Sequence, residues 1–252
     1  MAAPAVLSLE SLLQRSDVWR GNGLAHEAGE GVATGFAPLD AELPGGGWPR
    51  GTLTELLSAR QGVGELSLLL PALRHGADEA PVAVVAPPGA LHAPAWAAQL
   101  PLSRLLVVEA EGKDVAWSLE LLLGSAALSA VLAWLPDVDH KSLRRLQLAA
   151  QGSRSLAFLL RDPACAVQAS PAPLRLMLAS GRDSLALRIL KRRGAPCDRT
   201  LALAVERPIP WARVQEKTAV AAPPVLQSSP ARSAPPARQA ARVRLHSVSG
   251  PR

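Results

Sequence analysis

An α/β fold is predicted, with a mostly parallel central sheet, helices on both of its faces, and antiparallel strands added toward the C-terminus. Three observations predict it. Helix-period and strand-length apolar segments alternate between about residues 52 and 160. The strand candidates are nearly continuous apolar runs, as expected of strands buried on both faces. Beyond residue 162 the alternation stops, and three strand-like segments follow at hairpin-scale spacing.

The elements can be justified in order. Ser8-Leu-Glu-Ser-Leu-Leu-Gln-Arg reads as a short capped helix carrying Leu9, Leu12 and Leu13 on one side, with Trp19 just beyond. A glycine-rich acidic connector without periodicity occupies residues 21–35. Residues 34–51 end in a turn-forming cluster, and residues 52–57 follow as a strand. Helical spacing over residues 63–75 precedes the β-branched run Val82-Ala-Val-Val85. A helix over about residues 92–100 precedes Leu105-Leu-Val-Val108. Val115, Leu119, Leu122 and Ala126 stand at helical spacing before the apolar strand at residues 129–135. A helix over residues 142–151 leads to Leu156-Ala-Phe-Leu-Leu160. Residues 174–179, 184–190 and 200–206 are the three late strands, and no solenoid-type repeat is present.

Composition narrows the functional classes. The 252 residues are 48% hydrophobic and 19% charged, which supports a globular core and excludes collagen, coiled coil and a wholly disordered chain. The net charge of +6 invites a nucleic-acid reading, but its placement is uneven. Every acidic residue lies at or before Glu216, whereas residues 218–252 carry Arg232, Arg238, Arg242, Arg244, Arg252 and six prolines. Without those five arginines, the 27 basic residues fall to 22 against 21 acidic ones, so the body is nearly neutral. The tail has too few large apolar groups to offset its ordering entropy. The expected organisation is therefore an N-terminal helix and connector at residues 1–33, one domain at 34–212, and a disordered basic Pro/Ala/Arg-rich tail at 213–252.

Cys165 and Cys197 have no metal-ligand spacing and are expected as reduced thiols. No targeting signal or membrane span is evident, so a cytoplasmic location is expected. His26, His75, His92, His140 and His246 lack partners at ligand spacing, so no metal is expected. No hydrolase elbow or Cys/His pair is present, and no catalytic residue is assigned. The six tryptophans are not interleaved with arginines as a base-stacking platform would be, and most read as core.

The turn between the first strand and the first helix is where a mononucleotide fold cradles phosphate on backbone N–H groups. Here it reads Ala59-Arg-Gln-Gly-Val-Gly-Glu-Leu66. Gly64 takes the second glycine position, but Glu65 replaces the lysine and Leu66 the Mg²⁺-binding hydroxyl. A lysine 4 Å from a phosphate supplies roughly 4 kcal/mol of attraction at an effective dielectric near 20, and a carboxylate supplies repulsion of similar size. Gly62, Gly64 and Glu65 instead suit a tight turn into a helix whose first turn favours an acid. No nucleotide, metal or other cofactor is expected.

Thr34-Gly-Phe-Ala-Pro-Leu-Asp, Gly45-Gly-Gly-Trp-Pro-Arg-Gly-Thr-Leu-Thr-Glu-Leu-Leu and the alternation through about Glu206 resemble the RecA recombinase core. Within that superfamily, from about residue 5 to 210, the chain most closely resembles the ImuA family of translesion-DNA-synthesis-associated proteins, its SulA-like branch. The resemblance implies a RecA-like three-layer fold, degenerate over residues 34–212. It places the Walker B aspartate at Trp134, with Asp137 three residues late, and the water-polarising glutamate at about Pro88. Four lost groups leave no metal site, phosphate counter-charge or base, so no ATPase is expected. Both DNA loops of the recombinase are shortened, at residues 135–142 and 161–173, and Arg161 is the only basic residue of the second.

The function the resemblance implies is a non-catalytic scaffold in SOS-induced mutagenesis. Its partners are an ImuB-type Y-family-like protein and an error-prone DNA polymerase at damaged DNA in the nucleoid. The alternatives are a SulA-like inhibitor of cell division binding a tubulin-like protein, and a residual ATPase. RecA, DNA through the basic tail, and self-association stay open as partners; a membrane is not expected. Lys191, Arg192 and Arg193 form either a phosphate-contacting patch or a solvated hairpin turn, and Arg232, Arg238, Arg242 and Arg244 are DNA-contact candidates in the tail. Leu9, Leu12, Leu13 and Trp19 face either a partner or the chain's own core.

Overall fold

A computed structural model describes residues 31–75, 80–181, 184–206 and 244–247. Strands β1 (Leu53–Ser58), β2 (Val82–Val85), β3 (Leu105–Glu109), β4 (Ala130–Trp134), β5 (Leu156–Arg161), β6 (Leu174–Ser180), β7 (Leu185–Lys191), β8 (Thr200–Leu203) and β9 (Arg244–Ser247) form one sheet in the order β8-β7-β6-β1-β5-β4-β2-β3-β9. Each pairing among β1 to β6 is parallel, while β7, β8 and β9 pair antiparallel with their neighbours. This is the mostly parallel sheet with antiparallel C-terminal strands that the segment pattern predicts.

The helices are α1 (Ala37–Asp40), α2 (Glu65–His75), α3 (Ala93–Ala97), α4 (Lys113–Gly124) and α5 (His140–Gln151). One face of the sheet packs Leu56, Phe158 and Leu176 against Leu68, Leu69 and Leu73 of α2 and Trp96 of α3. The other face packs Leu53, Val85 and Leu159 against Leu119 and Leu123 of α4 and Leu143 and Leu146 of α5. Strands covered on both sides must be apolar at consecutive positions, and β2 is buried at all four.

Boundaries differ from expectation where capping governs. Helix α5 starts earlier than its apolar period suggests, because the Asp139 side chain accepts from the Ser142 N–H at 2.6 Å as an N-cap. The helix expected over residues 92–100 shortens to α3, capped by His92 Nδ1, which accepts from Ala95 N–H. Val63, expected within a helix, is a buried loop residue before α2.

Of the basic tail expected to be disordered, only residues 244–247 lie among the described residues. Arg244–Ser247 forms β9, antiparallel to β3, in a register that sets Leu245 opposite Val108 and Arg244 opposite Glu109. The β3 edge would otherwise present unpaired N–H and C=O groups, and a short antiparallel strand satisfies them. Cys165 is buried, Cys197 is half-buried, and both are free thiols. Among the described residues no helix is long and apolar enough to cross a membrane.

Candidate functional site

The phosphate-loop position follows β1. Ala59 and Gly62 are exposed, and φ is positive at Gly62 (74°) and Gly64 (115°), whose N–H groups converge on one acceptor. Those donors are already taken. Gly62 N–H donates to Glu65 Oε1 at 2.7 Å and Gly64 N–H donates to Glu65 Oε2 at 3.1 Å. The carboxylate of the residue in the lysine position thus sits in its own loop and is buried. Repulsion of phosphate was legible in the sequence. Occupation of the cradle was not, although an acid in the first helical turn reaching back to preceding N–H groups is the logic of a capping box.

The segment after β8 closes over this loop. A Cβ built on Gly64 would lie 3.3 Å from a Val205 methyl group, and Ser67 Oγ donates to the Glu206 carbonyl at 2.5 Å. Leu66 and Trp134 are half-buried and pack against the same apolar cluster as α2. The Trp134 indole N–H is buried without an acceptor, and Asp137 and Pro88 are exposed. Among the described residues no cluster of three or more His, Cys, Asp or Glu side chains could hold a metal.

The cationic hairpin between β7 and β8 is largely committed to structure. Arg192, a phosphate-contact candidate, is only 8% exposed. Its Nη1 donates to Glu42 Oε2 at 2.8 Å and to the Glu42 carbonyl at 2.5 Å, and its Nε donates to the Ala195 carbonyl. Of the two readings open for Lys191, Arg192 and Arg193, a phosphate-contacting patch or a solvated hairpin turn, neither describes Arg192, which staples the hairpin to the segment after α1. Lys191 is exposed at its edge and donates to the Ser170 carbonyl at 2.8 Å. Burial pushes its pKa down, the Arg175 charge adds to that, and Glu55 opposes it. Arg193 is exposed. Arg244 lies in β9, whereas Leu9, Leu12, Leu13, Trp19, Arg232, Arg238 and Arg242 lie outside the described residues.

Sequence reasoning missed a buried charge cluster under the second loop. Glu55 in β1 accepts from Arg161 Nη1 at 3.1 Å, from Ser170 Oγ at 2.6 Å and from Arg175 Nε at 2.7 Å. Arg175 also donates to the carbonyls of Cys165, Ala166 and Gln168, which anchors the loop between β5 and β6. Arg161, that loop's only basic residue in sequence, is therefore buried and cannot touch DNA. Charged residues of opposite sign inside apolar strands were the available signal.

Glu42 gives this region a pH dependence. The Arg192 hydrogen bond, with the charges of Arg192 and Arg199, holds its carboxyl below the ordinary value of 4.5 although burial opposes the shift. A depressed carboxylate stabilises the fold above its unfolded pKa, and that contribution is lost as pH falls through the lower folded value. Acid unfolding of Glu42→Gln should therefore start from lower stability near neutrality and lose less below about pH 4.5 than the native chain. Parallel unfolding curves at all pH values would contradict this.

No protein-family model matches the chain. No curated protein matches it either. Among solved structures, the crystal structure of SulA from Pseudomonas aeruginosa is similar over 43% of this chain and 96% of that one, at 25% identity and a TM-score of 0.37.

Proposed function

We propose that this chain is a non-catalytic accessory protein of SOS-induced translesion DNA synthesis, a scaffold that acts with an ImuB-type Y-family-like protein and an error-prone DNA polymerase. The resemblance carried by residues 34–40 and 45–57 supports the family reading. The observation that carries the non-catalytic part is Glu65, whose carboxylate takes the two loop N–H groups that a phosphate would need. A loop satisfied by its own side chain keeps the recombinase shape while giving up the positioning and electrostatics that phosphoryl transfer depends on. DNA attraction is assigned to the tail arginines, with Lys191 and Arg193 at the hairpin as the exposed contributors from the domain.

The test is co-purification of the full chain with the ImuB-type protein and the polymerase, with and without single-stranded DNA, beside a tubulin-like division protein. The expected result is a complex with the polymerase partners that ATP does not change and that Glu65→Ala leaves intact. Replacing Arg232, Arg238 and Arg242 by alanine should weaken DNA binding and flatten its salt dependence. Capture of the division protein alone would favour the inhibitor reading. An ATP requirement for assembly would overturn the non-catalytic one.

A further inference from the structure

Strand β3 has two neighbours of different standing. On one side it lies parallel to β2, within the body of the sheet. On the other it meets β9, which closes the sheet order and has β3 as its one strand neighbour among the described residues.

The course of the chain does not force that second contact. Strands β8 and β9 stand at opposite ends of the nine-stranded sheet, eight spacings apart, or about 38 Å across the strands. The 40 residues from 204 to 243 join them, and a chain of that length reaches roughly 130 Å when extended. Strand β9 is therefore held by its own pairing and not by a taut connection. Four residues at a sheet edge belong to the low-stability end of a fold, where local opening is cheapest.

The edge it covers is apolar. Leu106 and Val107 are half-buried and pack one on each core cluster, so apolar groups reach the edge on both faces of the sheet. Glu109 is the only charged residue of β3, and the observed register sets it opposite Arg244. In sequence the resident segment places Val243 and Leu245 between Arg242, Arg244 and His246.

We propose that the β3 edge is a strand-addition site for an extended segment of a partner protein in which apolar and basic residues alternate, and that Arg244–Ser247 fills it in cis until such a segment displaces it. A segment held in cis shows what the edge accepts. Main-chain hydrogen bonds along Leu105 to Glu109 supply the affinity, and the side chains facing Leu106, Val107 and Glu109 supply the choice of partner. The tether keeps the resident strand at an effective concentration on the order of millimolar, so it weakens every competitor by the fraction of time it is docked. This site does not depend on the function proposed above.

The test uses the full chain and a fluorescently labelled peptide with the sequence of residues 241–249, read by anisotropy. Neighbouring residues of an antiparallel strand alternate between bonding the adjacent strand and pointing away from it, so Leu245→Pro with His246→Pro removes a ladder N–H in either register. That variant should bind the peptide roughly tenfold more tightly than the native chain, because the resident strand no longer competes. Glu109→Lys in the same background should weaken the peptide severalfold and reduce its salt dependence. Circular dichroism checks that each variant keeps its fold. In the native chain, excess unlabelled peptide should speed amide exchange at residues 244–247 while residues 105–109 stay protected, a readout that needs no variant. Equal affinity of the native chain and the proline variant would overturn the proposal, as would equal binding of a scrambled peptide or unchanged exchange at residues 244–247. A concentration-dependent dimer of the native chain that the prolines abolish would assign the edge to a second copy and also overturn it.

Discussion

Glu55→Ala should lower the unfolding free energy by about 3–5 kcal/mol, because removing one partner of a buried ion cluster leaves the other charges uncompensated. Glu55 is fully buried and is the shared acceptor for Arg161 and Arg175. Two further Arg161 nitrogens, Nε and Nη2, already lack partners, so no spare acceptor is at hand when the carboxylate is lost. Replacing Glu55, Arg161 and Arg175 together by apolar residues of similar volume should cost much less, since the penalty belongs to the unpaired charge. Urea unfolding of the single and triple variants separates the two. A single-variant loss below about 1 kcal/mol would mean that water reaches the cluster. The effect should also spread locally, because Arg175 holds the loop carbonyls and Ser170 bridges Glu55 to Lys191. The second loop should become protease-sensitive in Glu55→Ala even where the rest of the sheet stays folded.

Trp48→Ala should cost a similar amount, about 3–5 kcal/mol, as large aromatic truncations in close-packed cores do. Trp48 is fully buried and meets Phe158 edge to face, with ring centroids 5.2 Å apart at 85°. Its backbone bridges Val32 through hydrogen bonds of 2.9 and 2.7 Å. The preceding Gly47 allows that approach: a Cβ there would lie 2.2 Å from the Val32 carbonyl oxygen, so Gly47→Ala must also break the bridge. Trp48→Phe should cost far less, because it keeps an aromatic ring in the core and removes an indole N–H that has no acceptor. The measurement is thermal and urea unfolding of the three variants. If Trp48→Phe is as damaging as Trp48→Ala, the ring contact is not what the residue contributes. Gly47 and Trp48, which lie in one of the two most specific segments of the resemblance, are thus held by packing demands that would persist without any ligand.

Much of the architecture was legible because it rests on local pattern. The apolar runs at residues 82–85, 130–134 and 156–160 could only be strands covered on both faces, and the hairpin-scale spacing after residue 162 announced β7 and β8. Strand β9 was not legible: four residues within a proline-rich tail carry too little periodicity to stand out, and a free edge at β3, far away in sequence, stabilises them. The site divided in the same way. The acid at position 65 was legible as a residue type, but the closure of the loop by Val205 and Glu206 came from the other end of the domain.

By itself the sequence determined the α/β class, the alternating elements and the negative charge at position 65 of the turn after the first strand. These follow from side-chain period and from charge at a single position. Only the tertiary structure decided which cations stay available to a partner. Arg192 is neutralised by Glu42 from 150 residues away, and Arg161 by Glu55 from 106 residues away. The reach of a charge depends on its neighbours in space, and a buried pair must find its partner across the fold or not be buried at all.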